Sequence, residues 1–282
     1  MARKNTGWIS MKIAWIGKHF GEEPPLVGSE KQGAGAIFFS GCNLRCVFCQ
    51  NYQISQNGLG EEFNPEKLSK EMLRLEKDGA VNIDLVSPTI WWREIREAIG
   101  MAKKSGLRIP IIWNSNGFEL VDILRSMEGL VDIYLPDFKY SDDGLAYRYS
   151  GVKKYVETTK SAVEEMRRQV GNLRIENGLA QKGLIVRYLI LPGHLDNSFK
   201  VLEILSAMDK NVHISLMNQF YPTHLAKNFP EINRGVRAGE YEKIRDFMLN
   251  LGLVNGWGQE IGENSNFLPD FSQKNPFLPQ KG

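Results

Sequence analysis

Cysteine is nearly absent from this chain: Cys42, Cys46 and Cys49 are the only three in 282 residues. An odd count argues against a closed disulfide framework and suits a reducing compartment. Long apolar runs are missing too. None approaches the ~20 residues that span a bilayer, so no membrane segment is expected. Net charge is almost nil, with 35 basic and 33 acidic residues giving +2. That excludes a polycationic nucleic-acid wrapper and gives no support for an extended nucleic-acid surface. Residues 1–17 carry charges but neither an apolar h-region nor a small-residue cleavage site, so no secretory signal is expected. The expected location is the cytoplasm.

What is present is ordinary globular material. Hydrophobic residues make up 42% and charged residues 24%, which excludes a disordered tail or a collagen-like chain. Length alone suggests about two domains, although α/β barrels of this size are routinely single. Short, almost continuous apolar runs mark strands near Ala36–Phe39, Val81–Val86, Ile109–Trp113, Val131–Leu135, Leu184–Leu191 and Val212–Met217. Helical patterns lie between them. Asn64-Pro65 reads as an N-cap and first turn, Leu68, Met72 and Leu75 follow at helical spacing, and Gly79 supplies a stop. Further helices are expected at Ile90–Lys104, Leu120–Met127, Thr158–Val170, Asp196–Met208 and Gly239–Leu251.

This alternation predicts an α/β fold, a partial (β/α)6 TIM-like barrel with N- and C-terminal extensions. A doubly wound open sheet is the alternative, because pattern does not decide closure. The boundaries are 1–32 for an N-terminal extension with a strand at Met11–Gly17, 33–225 for the core, and 226–282 for a C-terminal helix and irregular tail.

The cysteines fall in Ser40-Gly41-Cys42-Asn43-Leu44-Arg45-Cys46-Val47-Phe48-Cys49-Gln50-Asn51, a C-x3-C-x2-C spacing. Random placement would put three cysteines in one such window with a chance of roughly a few in a thousand. The cluster follows a buried strand at its C-terminal end, where ligands collect in α/β folds. Three soft thiolates so close suit an iron–sulfur cubane or zinc. Structural zinc wants a second knuckle, and the chain has none. A cubane on three thiolates keeps one iron without a protein ligand, whereas an electron-carrier ferredoxin closes that position with a fourth cysteine. Three buried structural cysteines are the plain alternative.

The motif, with Phe48 just before its last cysteine, resembles the signature of the radical S-adenosylmethionine (SAM) superfamily. The resemblance runs from about Phe38 to Met217 and is closest to proteins like pyruvate formate-lyase activating enzyme. It is strongest for an uncharacterised branch sharing His-Phe-Gly-Glu-Glu-Pro-Pro upstream and Phe-Phe-Ser-Gly-Cys at the cluster. Such a resemblance implies one four-iron–four-sulfur (4Fe-4S) cluster held by Cys42, Cys46 and Cys49, with SAM chelating the fourth iron. One electron then cleaves SAM to methionine and a 5′-deoxyadenosyl radical that abstracts hydrogen. An external low-potential donor, flavodoxin or ferredoxin, is implied. No further cysteine exists for an auxiliary cluster.

The later motifs are carried over one at a time. The family's Gly-Gly-Glu after the second strand is replaced by Ser87-Pro88-Thr89, whose hydroxyls or carbonyls would accept from SAM's amino group; the alternative is an ordinary turn. Trp113-Asn114-Ser115-Asn116-Gly117-Phe118 and Leu135-Pro136-Asp137-Phe138-Lys139 are similar to segments that hold a monovalent cation beside SAM. By resemblance Asn114, Ser115 and Asp137 are cation ligands and Lys139 meets the SAM carboxylate. Asn114 in place of Asp removes a charge from that set. A strand-end ion pair is the alternative for Asp137 and Lys139.

Arg187 interrupts an apolar run, so its guanidinium must reach an anion. Resemblance suggests SAM's carboxylate or ribose side; an internal salt bridge is the alternative. Gln219 aligns loosely with a ribose-contacting histidine. His19 with Glu22 and Glu23 reads as a solvated or hydrogen-bonded loop rather than a metal set. His213 is expected in the core, His194 at a substrate pocket, and Trp91 and Trp92 as barrel cover. The expected activity is radical SAM hydrogen abstraction from an unidentified substrate. A glycyl-radical activase acting on a protein is one version. The alternatives are an iron–sulfur carrier without radical chemistry and a zinc-binding interaction module.

Overall fold

The computed structural model describes residues 10–259 and 268–277. The expectations for residues 1–9, 260–267 and 278–282 lie outside the described residues. In chain order the elements are β1 (Met11–His19), α1 (Pro24–Val27), β2 (Ala34–Phe39), α2 (Tyr52–Ser55), β3 (Glu61–Phe63), α3 (Pro65–Lys77), β4 (Ile83–Val86) and α4 (Trp92–Lys104). They continue as β5 (Ile111–Ser115), α5 (Val121–Ser126), β6 (Ile133–Pro136), α6 (Asp143–Ser150), α7 (Tyr155–Val170), β7 (Arg174–Glu176), β8 (Leu179–Leu189), α8 (Leu195–Met208), β9 (His213–Met217), α9 (Ala238–Asn250) and β10 (Gly256–Gly258).

One sheet runs β10-β9-β8-β6-β5-β4-β2-β1-β3, with β7 paired to β8. From β2 through β4, β5, β6 and β8 to β9 every pairing is parallel. Each new strand adds on the same side of the previous one, with helices in the crossovers. A doubly wound sheet would reverse direction at a switch point, and this one does not. The architecture is therefore an open, mostly parallel sheet of the partial-barrel kind.

Register explains why the strands read as unbroken apolar runs. Ile37, Leu85, Trp113, Tyr134 and Leu184 align across five strands and are all buried in the main core cluster with α3, α4, α7 and α8. The alternate row, Ala36, Asp84, Ile112 and Ile133, lies on the opposite, concave face and is also fully buried. Both faces are covered, so alternation disappears. The one acid in that row, Asp84, marks the concave face as more than a core.

Local chemistry sets the element ends. Asn64 accepts from Lys67 N at 2.8 Å and Pro65 opens α3, which buries Leu68, Met72 and Leu75. Several elements were not expected, α6 and the β7–β8 hairpin among them. Asp142 caps α6 by accepting from Leu145 N at 2.9 Å, and left-handed Gly151 ends it. The β7–β8 hairpin turns through Asn177 and Gly178, both at positive φ (52° and 80°), so β8 begins at Leu179 rather than Leu184. Asn-Gly is the two-residue turn that matches strand twist.

Both extensions are part of the sheet. β1 pairs antiparallel with β2, and β10 pairs parallel with β9. The expectation of an irregular tail after the C-terminal helix is thus corrected at 256–258. Phe271 and Phe277 pack on Phe38 at ring distances of 5.5 and 5.2 Å, while Gln53 clamps Asp270 (3.0 Å) and the Phe271 N–H (2.7 Å). Among the described residues no helix is long and apolar enough to cross a membrane.

Glu240 ties α9 to the rest. It accepts from Arg237 N (2.9 Å), Gly193 N (3.0 Å) and the Arg234 guanidinium (2.7 and 2.8 Å). The Arg234 bonds hold its carboxyl down at about 2. Glu240→Gln should cost ~1 kcal/mol, as loss of a helix cap does, lowering the melting midpoint by about 2–4 °C. Because the folded-state value lies below the ordinary 4.5, the wild-type advantage is full above that pH. It should fade as pH falls toward 2; a constant difference in melts across that range would contradict this assignment.

Candidate functional site: the thiol loop and the concave face of the sheet

The cysteine loop begins where β2 stops. Gly41 takes φ +87°, and a Cβ there would meet Ile90 Cδ1 at 2.6 Å, so only glycine makes the turn unstrained. The loop is then pinned by backbone bonds to α6, with Arg45 N donating to Ser150 O (3.0 Å) and Val47 N to Tyr149 O (2.8 Å). Leu225 N reaches Val47 O at 2.8 Å, and Gln56 Nε2 donates to Cys46 O at 3.0 Å.

All three cysteines are free and surrounded by hydrogen-bonding groups. Asn116 Nδ2 points at Cys42 Sγ (3.3 Å), Ser150 Oγ lies 2.9 Å from Cys46 Sγ, and Ser55 Oγ lies 3.2 Å from Cys49 Sγ. Burial pushes Cys46 up to about 12 and Cys49 to about 11; the neighbouring thiols add to the rise, and Lys139 opposes it. Cys46, Cys49 and one ammonium therefore share a desolvated neighbourhood.

Among the described residues no three His, Cys, Asp or Glu side chains are arranged to hold a metal ion. A cubane asks for something different, one thiolate on each of three irons, and soft sulfur donors are what it takes. The donor set of Cys42, Cys46 and Cys49, with no other cysteine in the chain, fits such a cluster with one iron free of protein.

At the ends of β4, β5 and β6 the expected residues come together, but each is turned to a protein partner. Ser87 takes a left-handed φ of 60° and bonds Asn114 O through its N–H at 2.9 Å. Thr89 Oγ1 donates to Glu119 at 2.7 Å, Trp113 Nε1 donates to the same carboxyl at 2.9 Å, and Ser115 also bonds it. Burial raises the Glu119 pKa. The Thr89 and Ser115 hydroxyls are thus held by a buried carboxyl that the sequence did not single out. Asn114 Nδ2 reaches Asp84 at 3.3 Å. Asp137 pairs with the Lys139 ammonium, its N–H bonds Ser115 O, and Gly117 packs so near that a Cβ would lie 2.1 Å from Asp137 O. Asn114, Ser115 and Asp137 share adjacent strand ends without forming a cation cage. For Lys139, burial lowers the pKa and the Asp137 carboxylate more than restores it, so the net direction is up.

The second charged group is the interior ion pair offered above as the alternative for Arg187. Its guanidinium donates to Glu23 (2.8 and 2.7 Å) and to Glu22, both from the loop after β1. Burial disfavours the Arg187 charge, but the two glutamates outweigh it and hold the pKa up. Arg187 in turn outweighs burial at Glu23 and holds that carboxyl down. Asp84 lies in the same field. Burial and Glu22 push its pKa well up, and its Oδ1 has no hydrogen-bond partner.

The remaining candidates are scattered. Phe48 packs on Phe220 at 5.5 Å between ring centres. Gln219 accepts from Gln259 Nε2 (2.6 Å) through its side chain and from Gln50 Nε2 (3.0 Å) through its carbonyl, which places it beside the cysteine loop. His194 bonds Tyr149 OH at 2.9 Å and lines a cleft of about 500 Å³ with Asp142, Asp196, Lys200 and Glu240. His19, partly exposed at the end of β1, packs its ring at a tilt on Phe277 (4.2 Å between centres) and faces Glu22 at 3.7 Å. His213 is half-buried at the start of β9 rather than in the core. Trp91 covers the loop, donating to Ser40 O at 2.7 Å.

Removing one partner of a buried ion pair leaves the other charge uncompensated, at a cost of about 3–5 kcal/mol. Arg187→Met should therefore lower stability by that order in urea melts. Adding Glu22→Gln and Glu23→Gln should restore most of it. A single variant as stable as wild type would contradict the pairing.

Comparison with known proteins bears on the whole arrangement. Residues 36–205 match the radical SAM superfamily. The uncharacterized protein MJ0674 of Methanocaldococcus jannaschii is 33% identical over 248 residues, covering 84% of this chain and 67% of that protein. Pyruvate formate-lyase-activating enzyme of Clostridium pasteurianum is 22% identical over 216 residues, covering 74% and 82%. Streptococcus suis SuiB, solved with its precursor peptide SuiA, superposes with a TM-score of 0.56 at 12% identity over 79% of this chain; the chain spans only 47% of that structure's length. That likeness carries the fold alone. With its cysteine loop above the ends of a parallel sheet and more than half its length matched, the chain belongs to the radical SAM superfamily.

Proposed function

We propose that Cys42, Cys46 and Cys49 hold a single 4Fe-4S cluster and that the protein uses it to split SAM reductively. The observation that carries this reading is the donor count: three free thiols at the end of β2, with no fourth cysteine in the chain. Such a cluster, when bound, supplies an open iron for SAM's amino and carboxylate groups and the electron that releases a 5′-deoxyadenosyl radical for hydrogen abstraction.

The chain's own groups have distinct tasks. Asn116, Ser150 and Ser55 direct hydrogen bonds at the three sulfurs, which favours the thiolate forms. Lys139 supplies a desolvated cation whose field reaches Cys46, and it is the candidate partner for SAM's carboxylate. Arg187, fixed by Glu22 and Glu23, is the second cation on the concave side. Ser87 offers a backbone carbonyl and hydroxyl at a strand end for an ammonium group. Gln219, beside the cysteine loop, is the candidate ribose contact, and Thr89 and Ser115 act through Glu119 rather than directly. Phe48, Phe220 and Tyr155 keep water from the loop, where a radical needs a dry enclosure.

The substrate class is a separate question. An activase that takes hydrogen from a backbone glycine of a partner enzyme is the narrower version, supported by the 22% identical activating enzyme. The broader reading, hydrogen abstraction with an external low-potential donor such as flavodoxin or ferredoxin, rests on the family. The superfamily match, 36–205, falls within the 33–225 stretch assigned to the catalytic core.

Anaerobic reconstitution should give a brown protein with about four irons per chain and, with dithionite and SAM, 5′-deoxyadenosine. Cys46→Ala should lose both iron and product; retention of product would overturn the ligand assignment. Lys139→Met should keep the iron but weaken SAM binding about tenfold, which corresponds to ~1.4 kcal/mol. Unchanged SAM affinity would remove Lys139 from the binding site.

A further inference from the structure

We infer that the slot between Trp15, His19 and Phe38, filled here by the chain's own Phe277, is a recognition site for an aromatic side chain of a peptide substrate. The inference rests on the cluster reading above and deepens it by naming the substrate class. The slot is written into two strands. Trp15, Gly17 and His19 alternate along β1, so they share one face. Across the antiparallel pairing they oppose Phe38, Ala36 and Ala34 of β2. The indole of Trp15 leans over Gly17, where an added Cβ would meet its Cζ2 at 2.5 Å, so a side chain there would push the ring out of place. Ala34 and Ala36 are fully buried, although neither strand supplies a large side chain between the rings to cover them.

Phe277 takes that space. Its ring centre lies 4.2 Å from that of His19, 5.0 Å from Trp15 and 5.2 Å from Phe38. Edge-to-face and tilted packing of this kind is how aromatic groups hold one another, the positive edge of one ring meeting the negative face of the next. The occupant is not anchored as a core residue is. It belongs to a strap, 268–277, without helix or strand, whose tip at 272–275 is exposed. The strap is closed on itself by Asp270 N donating to Pro276 O at 2.9 Å. Gln53 gives it a polar hold on the rest of the chain, through Asp270 (3.0 Å) and the Phe271 N–H (2.7 Å). A segment with so few ties opens at small cost, and a ligand offering the same ring can take its place.

The slot lies where a substrate belongs. Ala36 stands in the concave row and pairs with Asp84, whose buried Oδ1 has no partner. Phe38 pairs with Val86, the residue before Ser87, so the slot borders the strand ends. Beside the strap is a cleft of about 360 Å³ lined by Gln50, Tyr52 and Thr223, with Asp270 and Ser272 of the strap on its other side. Amides and hydroxyls suit a peptide backbone, which both donates and accepts. Gln53 lines the cleft and holds Phe271, whose ring packs on Phe38, so the strap alone divides cleft from slot. A ring slot next to an amide-lined cleft fits a peptide carrying an aromatic residue.

The test measures binding to the reconstituted holoprotein, with N-acetyl-phenylalaninamide as the probe and saturation-transfer NMR as the readout. Phe277→Ala vacates the slot and should bind the probe at least tenfold more tightly than wild type, whose tethered ring competes at high effective concentration. Gln53→Ala, which loosens the strap without altering the slot, should fall between the two. Adding Trp15→Ala to Phe277→Ala should abolish the gain while iron content and circular dichroism stay unchanged. N-acetyl-leucinamide should bind at least tenfold more weakly than the probe. Equal probe affinity in wild type and Phe277→Ala, equal binding of the leucine amide, or displacement of the probe by adenosine would overturn the proposal, the last because the slot would then seat a nucleoside. If Phe277→Ala does not hold its iron, Gln53→Ala decides alone, and no gain in probe affinity there overturns the inference. If the probe binds as expected but SAM is not cleaved, the enzymatic reading fails and the slot stands; SAM cleavage without probe binding to either variant removes the slot and leaves that reading.

Discussion

Desolvation of Cys46 and Cys49 is the constraint on which the rest of the structure depends. A buried thiol does not ionise unaided, and here burial drives Cys46 and Cys49 far above neutral pH. A thiolate is needed to hold metal, so the loop works only if metal binding releases the protons and nearby donors stabilise the charge. The surroundings are built for that: an amide on Cys42, hydroxyls on Cys46 and Cys49, and a buried ammonium within range. Because the donors come from three separate elements, the loop after β5, α6 and α2, the thiol site is assembled only when the sheet and its helices are in place.

The same economy governs the concave face. The helix-facing side of the sheet is apolar and needs no partner beyond packing. The inner side carries Asp84, Arg187 and the Asp137–Lys139 pair; Lys139 is paired with Asp137, and Arg187 with Glu22 and Glu23. Glu22 and Glu23 reach in from the loop after β1, which makes the first segment of the described chain part of the site rather than an appendage. Closing residues act likewise from the other end, where Phe271 and Phe277 meet His19 and Phe38.

What was legible in the sequence follows from this division. The six parallel strands and the cysteine loop announced themselves through runs of apolar residues and through spacing, both local signals. Arg187 announced itself as a charge in a strand, but its partners, Glu22 and Glu23, lie more than 160 residues away and only folding joins them. Asp84 carried the same signal in Ile83-Asp84-Leu85-Val86 and went unread. Asn177-Gly178 spells the β7–β8 turn as plainly as any dipeptide does. Glu119 was not foreseeable, because its partners Thr89 and Trp113 come from different strand ends. The hydroxyls of Thr89 and Ser115 looked available in one dimension and are engaged in three.

The account stands or falls on whether one iron is left open for a small molecule to bind. The direct measurement is electron paramagnetic resonance of the anaerobically reduced protein with and without SAM. The account predicts that SAM changes the g-values of the reduced cluster, because a ligand enters its coordination sphere. A spectrum unaffected by saturating SAM, in protein shown to carry the full cluster, would contradict it.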